Sequence, residues 1–376
     1  MQPEKQYEFS AVLSPDLIRE IGTDLQAVYP DFEVVGFCEA IVPALEGRLI
    51  KARAQLVADQ LHQYLPPDRA IDLLTAALSP KLGTSADSTS PFKYLPYGTY
   101  VSQHGLAPEQ FEAATRFLYE MTQRFSAEFA IRPFLMRYPE RMLPLLRAWA
   151  QAPNQHVRRL VSEGSRPRLP WAKRVTAYDA DYAPILALLK QLHNDPELYV
   201  RRSVANHLND LTKDRPALVL TALEAWQQQL PSTHLTWVTK HALRSLIKAG
   251  DAHALALIGF APDPALRVQH FGVALPRLAL GQQQVLTLQL VSTSTEAQPL
   301  LIDYVVFFKK ANGQLRPKVF KWTTHTLAAG AQLVVEKKHL FKVLSTRRMY
   351  PGEHRLAPQV NGRVLETTSF ELIFPI

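Results

Sequence analysis

The sequence predicts a mainly α protein in which paired helices stack into an α–α superhelix, followed by a C-terminal β-sandwich. Three observations carry this reading. From Ser14 to about Ala249 apolar residues recur mostly at helical spacing, and within that stretch a short motif returns after 43 residues. Around Pro262–Pro276 the pattern changes, and beyond it apolar residues fall at every second position.

The helical period is clearest in Met142, Leu145, Leu146 and Trp149, and again in Ile185, Leu188, Leu189 and Leu192. Each set occupies the i, i+3, i+4, i+7 positions of one helix face. Clusters at Ala152-Pro153-Asn154, Asn194-Asp195-Pro196 and Lys213-Asp214-Arg215-Pro216 supply the turns and N-caps between helices. Val157-Arg158-Arg159 recurs as Val200-Arg201-Arg202, each opening a second helix after a Pro-containing turn. A weaker third copy starts at Val238, with Lys240 in the place of the second arginine. Helix-pair repeats of this length are HEAT-like, and the second helix of each pair usually lines a concave face. Residues 80–108, rich in Ser, Thr, Pro, Gly and Tyr, suggest a long ordered loop.

In the C-terminal part Leu286, Leu288 and Leu290 alternate with polar neighbours, the period of a half-buried strand. Ile302, Tyr304, Val306 and Phe308 also alternate, but Val305 and Phe307 between them are apolar, which suggests a strand covered on both faces. Leu333 with Val335, and Phe370 to Phe374, add two more strands, and Asn312-Gly313 and Asn361-Gly362 are hairpin signals. About seven short strands are expected, the pattern of an immunoglobulin-like β-sandwich. The expected domains are residues 1–264 and 265–376.

With 376 residues the chain exceeds one ordinary core. No apolar run is long enough to span a bilayer, and Met1 to Ser10 lacks a signal peptide's pattern, so no membrane partner is expected. Cys38 is the sole cysteine, which excludes an internal disulfide and a thiolate zinc cluster and fits a reducing cytoplasm. Charge is unevenly spread. Residues 1–131 hold 10 basic against 17 acidic residues, residues 132–215 hold 15 against 8, and residues 265–376 hold 14 against 6. Two basic regions suggest a polyanionic partner, although a solvated basic surface gives the same totals. Phosphate-binding glycine loops, zinc-protease helices and nucleophile elbows are absent from the sequence, which argues against an NTPase, a Rossmann enzyme or a zinc hydrolase.

The chemistry concentrates between Glu128 and Asp210. Three stretches stand out: 126–134 (SAEFAIRPF), 156–171 (HVRRLVSEGSRPRLPW) and 199–210 (YVRRSVANHLND). They combine carboxylates, small residues that permit close approach, arginines suited to phosphates and an exposed-looking Trp171.

These stretches resemble those of the HEAT-like DNA glycosylase superfamily, AlkC branch, across the helical part to about residue 250. The basic tail resembles the immunoglobulin-like domain that a subset of the branch carries. The resemblance implies a DNA glycosylase of base excision repair acting on cationic N-alkylated bases, 3-methyladenine and in this branch 3-methylcytosine. It implies no metal or cofactor and no base flipping, with double-stranded DNA as partner. It places Glu128, Glu163 and Asp210 as active-site carboxylates, Phe129 and Trp171 as aromatic contacts, and Arg159 as a DNA contact. Asp210 is expected to serve the sugar and the attacking water, and Glu128 and Glu163 the cationic base. Further DNA contacts are expected from Arg158, Arg166, Arg168, Arg201 and Arg202. In the tail Lys318, Lys321, Lys337, Lys338, Lys342, Arg347 and Arg348 are expected near strand ends, with Lys321, Arg347 and Arg348 contributing to a DNA clamp. A monomer is expected.

Each residue also has an ordinary reading. Glu163 is an i, i+4 partner for Arg159, and Asp210 is a helix-end residue near Lys213. Glu128 suits a solvated helix charge, Phe129 a core position, and Trp171 an interhelix anchor. On those terms the chain is a non-catalytic HEAT-type scaffold for nucleic acid or an acidic protein.

Overall fold

The protein is represented by a computed structural model that describes residues 10–78, 91–344 and 347–374. The chain divides into two compact units, residues 1–215 with 226–242, and residues 216–225 with 243–376.

The first unit is helical. Its elements begin with α1 (Pro15–Val28), α2 (Val34–Ile41), α3 (Ile50–Tyr64) and α4 (Ala70–Ala76). They continue with α5 (Leu95–His104), α6 (Phe111–Thr122), α7 (Arg132–Arg137), α8 (Pro139–Trp149) and α9 (Gln155–Gly164). Then come α10 (Ala183–Leu192), α11 (Leu198–Leu211), α12 (Pro216–Gln229), which crosses into the second unit, and α13 (Thr233–Ala242). Local chemistry sets several starts. Ser14 accepts from the Leu17 amide at 3.2 Å with Pro15 in the first turn, and Asn154 accepts from the His156 amide at 2.8 Å. The expected faces are the packed ones: Met142, Leu146 and Trp149 are buried, as are Ile185, Leu188, Leu189 and Leu192.

The repeat has a physical basis. Helices α9, α11 and α13 pack side by side, and Val157, Val200 and Val238 are fully buried at equivalent positions. The first arginine of each pair fastens its own turn. Arg158 Nη1 donates to the carbonyls of Ala152 (3.0 Å) and Pro153 (2.8 Å). Arg201 Nη1 donates to those of Asp195 (2.5 Å) and Pro196 (2.8 Å), six and five residues back in both copies. Arg158 also grips Asp195 of the next repeat, at 2.6 and 3.0 Å. The guanidiniums of Arg158 and Arg201 are thus engaged by their own turns, and that of Arg158 by Asp195 as well.

The expected loop over 80–108 is corrected for its second half; residues 80–90 lie outside the described residues. Pro91–Tyr94 is a 3-10 turn and α5 follows at once. Tyr94, Tyr97 and Val101 are buried at i, i+3, i+7, a helical face that the Ser, Pro and Gly content obscures.

The second unit contains α14 (Arg244–Ala249), α15 (Ala252–Leu257) and two sheets. The strands are β1 (Leu266–Val273), β2 (Arg277–Ala279), β3 (Gln283–Ser292), β4 (Gln298–Lys309) and β5 (Leu315–Leu327). They are followed by β6 (Gln332–Leu340), β7 (Gly352–Val360), β8 (Arg363–Val364) and β9 (Thr368–Ile373). One sheet has the order β1-β3-β6; the other runs β2-β9-β7-β4-β5, with β8 beside β7. Leu286, Leu288 and Leu290 of the first share one core with Ile302, Val306, Leu356 and Phe370 of the second. Strand β4 lies between β7 and β5, and Leu300 to Val306 are all buried, Asp303 included, as the apolar residues at successive positions suggest. Asn361 (φ 44°) and Gly362 (φ 80°) form the tight turn between β7 and β8, and Gly313 (φ 78°) lies in the β4–β5 turn. Strand β5 gave little signal because it is an edge strand with Pro317 and a mostly exposed pattern. Of the tail's basic residues, Lys337, Lys338 and Lys342 lie by the end of β6 as expected, whereas Lys321 lies well inside β5. Lys318 and Lys321 lie within β5, Lys337 and Lys338 within β6, and Lys342, Arg347 and Arg348 follow β6.

Two buried histidines make stability pH-dependent. Burial lowers the pKa of His207 in the first unit to about 4; His339 in the second, beside Arg347, Lys318 and Lys337, is also lowered to about 4. Unfolding returns each to about 6.5, so the unfolded chain binds more protons between those values. This contribution is complete above pH 6.5 and is lost as pH falls toward 4, by at most about 1.4 kcal/mol per pH unit per histidine. The urea midpoint is expected to fall between pH 7 and pH 5, and less steeply in His207→Gln; a flat profile contradicts this assignment.

Candidate active site

The acidic residues singled out in the sequence converge. Glu128 lies in the turn between α6 and α7, Glu163 near the end of α9, and Asp210 near the end of α11. Arginines alternate with them. Arg159 Nη1 lies 2.7 Å from Glu128 Oε2, and its Nη2 3.5 Å from Glu163 Oε1. Arg166 Nη1 lies 2.6 Å from Glu163 Oε1, and its Nε 2.9 Å from Asp210 Oδ2. Lys213 ends the series 3.4 Å from Asp210 Oδ1. The ordinary i, i+4 contact of Glu163 and the Asp210–Lys213 contact are thus present, inside a larger network that crosses two repeats.

Glu163, Arg166 and Asp210 are all buried. Burial pushes the Glu163 carboxyl up, but Arg159, Arg166 and a Ser203 hydrogen bond outweigh it and hold the group below its usual range. Burial also opposes the Arg166 charge, and Asp210 and Glu163 overcome that effect. Ser203 Oγ donates to Glu163 Oε2 at 2.6 Å, and Ser162 Oγ lies 2.7 Å from Ser203 Oγ. Beneath them the His207 Nδ1 lies 2.9 Å from the Ser162 carbonyl oxygen. Glu128 accepts from Ser126 Oγ at 2.9 Å.

The segment 165–182 has no helix or strand, and Arg132 holds it. Arg132 Nη1 donates to the carbonyls of Gly164 and Arg166, both at 2.8 Å, and Nε to that of Lys173 at 3.0 Å. Burial and Arg166 lower the Arg132 pKa to about 10. Gly164 permits the close approach: a Cβ there would lie 2.5 Å from Ile131 Cγ2. On this segment Trp171 is 62% exposed and has a left-handed backbone (φ 65°), a strained conformation for a bulky residue. Lys51 donates to the Trp171 carbonyl and sits 5.3 Å from the Phe129 ring centroid. Phe129 and Trp171 border a groove of about 840 Å³ that Phe92, Phe125 and Met136 also line.

Other expected contacts are dispersed. Arg168 is partly exposed and paired with Asp214 at 2.5 Å, whereas Arg202 is exposed. In the second unit Lys321 and Arg348 are exposed, and the Arg347 guanidinium lies 4.1 Å from the Phe308 ring centroid. Arg132 and Ser203 were visible in the singled-out stretches, but their polar partners come from other parts of the fold. Lys51 carried no local signal, since its partner lies 120 positions away. Among the described residues no group of three or more His, Cys, Asp or Glu side chains could hold a metal ion, and no helix is long and apolar enough to cross a membrane.

Helical repeats with an acid–arginine centre, followed by a β-rich unit, define a class of DNA repair protein. Residues 122–245 match the family model described as "DNA alkylation repair enzyme", and residues 267–374 match "Uncharacterised protein YhaZ, C-terminal Ig-like domain". The chain is 37% identical to the Pseudomonas fluorescens alkylpurine DNA glycosylase AlkC, solved bound to DNA containing an abasic site analog. That match has a TM-score of 0.87 and covers 97% of this chain and 99% of that one. It is also 34% identical to the YhaZ protein of Bacillus subtilis (strain 168), over 97% of this chain and 99% of the relative. The chain therefore belongs to the HEAT-like DNA glycosylase superfamily, in the AlkC branch with a C-terminal Ig-like domain.

Removing Arg166 tests the network. Arg166→Gln leaves two buried carboxylates without their shared cation, and breaking a buried pair this way costs about 3–5 kcal/mol. The urea midpoint is expected to fall, and Asp210→Asn added to Arg166→Gln is expected to recover part of the loss. An unchanged midpoint in Arg166→Gln contradicts the bridging role.

Proposed function

We propose that the protein is a metal-independent DNA glycosylase that hydrolyses the N-glycosidic bond of cationic alkylated bases in duplex DNA. The substrates are 3-methyladenine and, in addition, 3-methylcytosine. The observation that carries the proposal is the convergence of Glu128, Glu163 and Asp210 on Arg159 and Arg166. The near full-length likeness to AlkC supports the same reading.

Alkylation at a ring nitrogen gives the base a positive charge and makes it a good leaving group. When the C1′–N bond breaks, its electron pair goes to the base, which becomes neutral, and the sugar takes oxocarbenium character. A carboxylate held at that position stabilises the developing charge, and fixed charges act strongly where water is excluded. In this reading Asp210 faces the sugar and accepts the proton of the attacking water. Glu128 and Glu163 face the cationic base, with Phe129 and Trp171 against it. Glu163 and Asp210 are paired with Arg159 and Arg166, so a cationic lesion competes with these arginines for the same oxygens. The base is met in the duplex rather than extruded into a pocket.

The helix pairs (residues 1–264) wind into a superhelix whose concave face grips DNA through Arg159, Arg168 and Arg202, with Arg166 holding the carboxylates behind it. Residues 265–376 form an immunoglobulin-like sandwich that clamps the duplex through Lys321, Arg347 and Arg348. The protein acts as a monomer in the cytoplasm. A second reading rests on the same ion pairs: acids fully satisfied by arginines also suit a scaffold that binds nucleic acid or an acidic protein without chemistry.

Incubation with methylated duplex DNA in the presence of a chelator separates the two. Release of 3-methyladenine is expected, and Asp210→Asn is expected to reduce it by about 100-fold or more while largely sparing DNA affinity. A folded wild type that releases no base favours the scaffold, and an active Asp210→Asn removes the catalytic assignment.

A further inference from the structure

The three repeat copies share more than the valine and the cation two residues after it. The residue before each valine is aromatic: His156, Tyr199 and Trp237. Three positions later each copy has a cation: Arg159, Arg202 and Lys240. Residues three apart lie on one helix face. The same face carries the proposed centre, because His156, Arg159 and Glu163 follow at i, i+3, i+7, and Tyr199, Arg202 and Asp210 at i, i+3, i+11.

Contacts between the first two copies join their aromatic and cationic positions into a strip. The His156 and Tyr199 rings meet edge-on at 5.5 Å, and the Arg159 guanidinium lies 5.0 Å from the Tyr199 ring centroid. Tyr199 is 38% exposed, too open for a ring that serves only the core. In the first two copies the first arginine is used by its turn, and in all three the valine by the core, which leaves the aromatic and the second cation toward the surface. Arg159 is taken by Glu128 and Glu163. Arg202 and Lys240 are exposed, and among the described residues their side chains make no hydrogen bond or ion pair. Trp237 stacks on His241 at 5.0 Å and is half-buried.

We propose that Tyr199 with Arg202, and Trp237 with Lys240, form a track for one DNA strand leading away from the carboxylate centre. The rings lie against sugars or base edges and the cations meet phosphates. A nucleic-acid strand offers this alternation of flat apolar and anionic groups, whereas an acidic peptide offers charge without regular flat surfaces. Packed helices stand roughly 8–10 Å apart, and one strand carries a phosphate about every 3.4 Å along the axis. Successive pairs therefore meet the strand about two or three nucleotides apart.

This inference rests on DNA being the partner, as proposed above, but it is read through binding alone. The affinity of the full chain for a short duplex with a tetrahydrofuran abasic site is measured against salt concentration. Arg202→Ala and Lys240→Ala are each expected to reduce the slope of log K against log salt by about 0.9, and Lys240→Arg to retain it. Trp237→Ala is expected to weaken binding roughly 5- to 100-fold, and Trp237→Tyr, which keeps a ring on His241, much less. Replacing single phosphates by methylphosphonates is expected to show two sensitive positions on one strand, each lost in one alanine variant. Wild-type slopes in both cation variants overturn the track, even if the wild type excises bases. Reduced slopes with no base release by the wild type support the track and count against the glycosylase.

Discussion

Arg166 sits between two buried carboxylates, and the organisation of the helical unit depends on that placement. It reaches Glu163 at 2.6 Å and Asp210 at 2.9 Å, joining one repeat to the next. Burial alone would push the Glu163 carboxyl toward its neutral form. With the guanidinium between the two carboxylates, and Ser203 donating to Glu163, the Glu163 carboxyl is held ionised. The segment that carries Arg166 is fixed in turn by Arg132, whose donors reach carbonyls on both sides of it. Charge, loop and helix ends thus form one unit, and none can be altered without the others.

Arginines in this chain divide into distinct uses according to position. Those one residue after the repeat valine tie down turns, those two residues after it face the acids or remain on the surface, and Arg132 and Arg166 lie inside. The basic excess of residues 132–215 therefore overstates the charge available to a partner. Arg158 and Arg201 spend theirs on carbonyl oxygens, while Arg202 stays exposed. A DNA-binding surface in the proposed mechanism is built from the remainder.

Much of this was legible in the sequence because its period is physical. The 43-residue return reflects identical hydrogen bonds from Arg158 and Arg201 to the turns before them. The apolar residues around Asp303, from Ile302 to Phe308, reflect a central strand buried along most of its length. The Glu128–Asp210 stretch was singled out by its residue types, and its acids do converge. What escaped was set by distant contacts. Helix α5 is hidden by its Ser, Pro and Gly content, and β5 by its place at a sheet edge. The sequence does not show that Asp195 folds back to meet Arg158. Lys51 became a neighbour of Trp171 and Phe129 only through the fold.

If acids in a basic channel exist to meet charge on a departing base and its sugar, the protein should distinguish charge at the reacting position alone. The direct measurement compares its affinity for two otherwise identical duplexes, one with a cationic pyrrolidine abasic analogue and one with neutral tetrahydrofuran. The account predicts tighter binding of the cationic duplex by on the order of 100-fold, as for a transition-state mimic, with the preference lost in Asp210→Asn. Equal affinity for the two duplexes would contradict it.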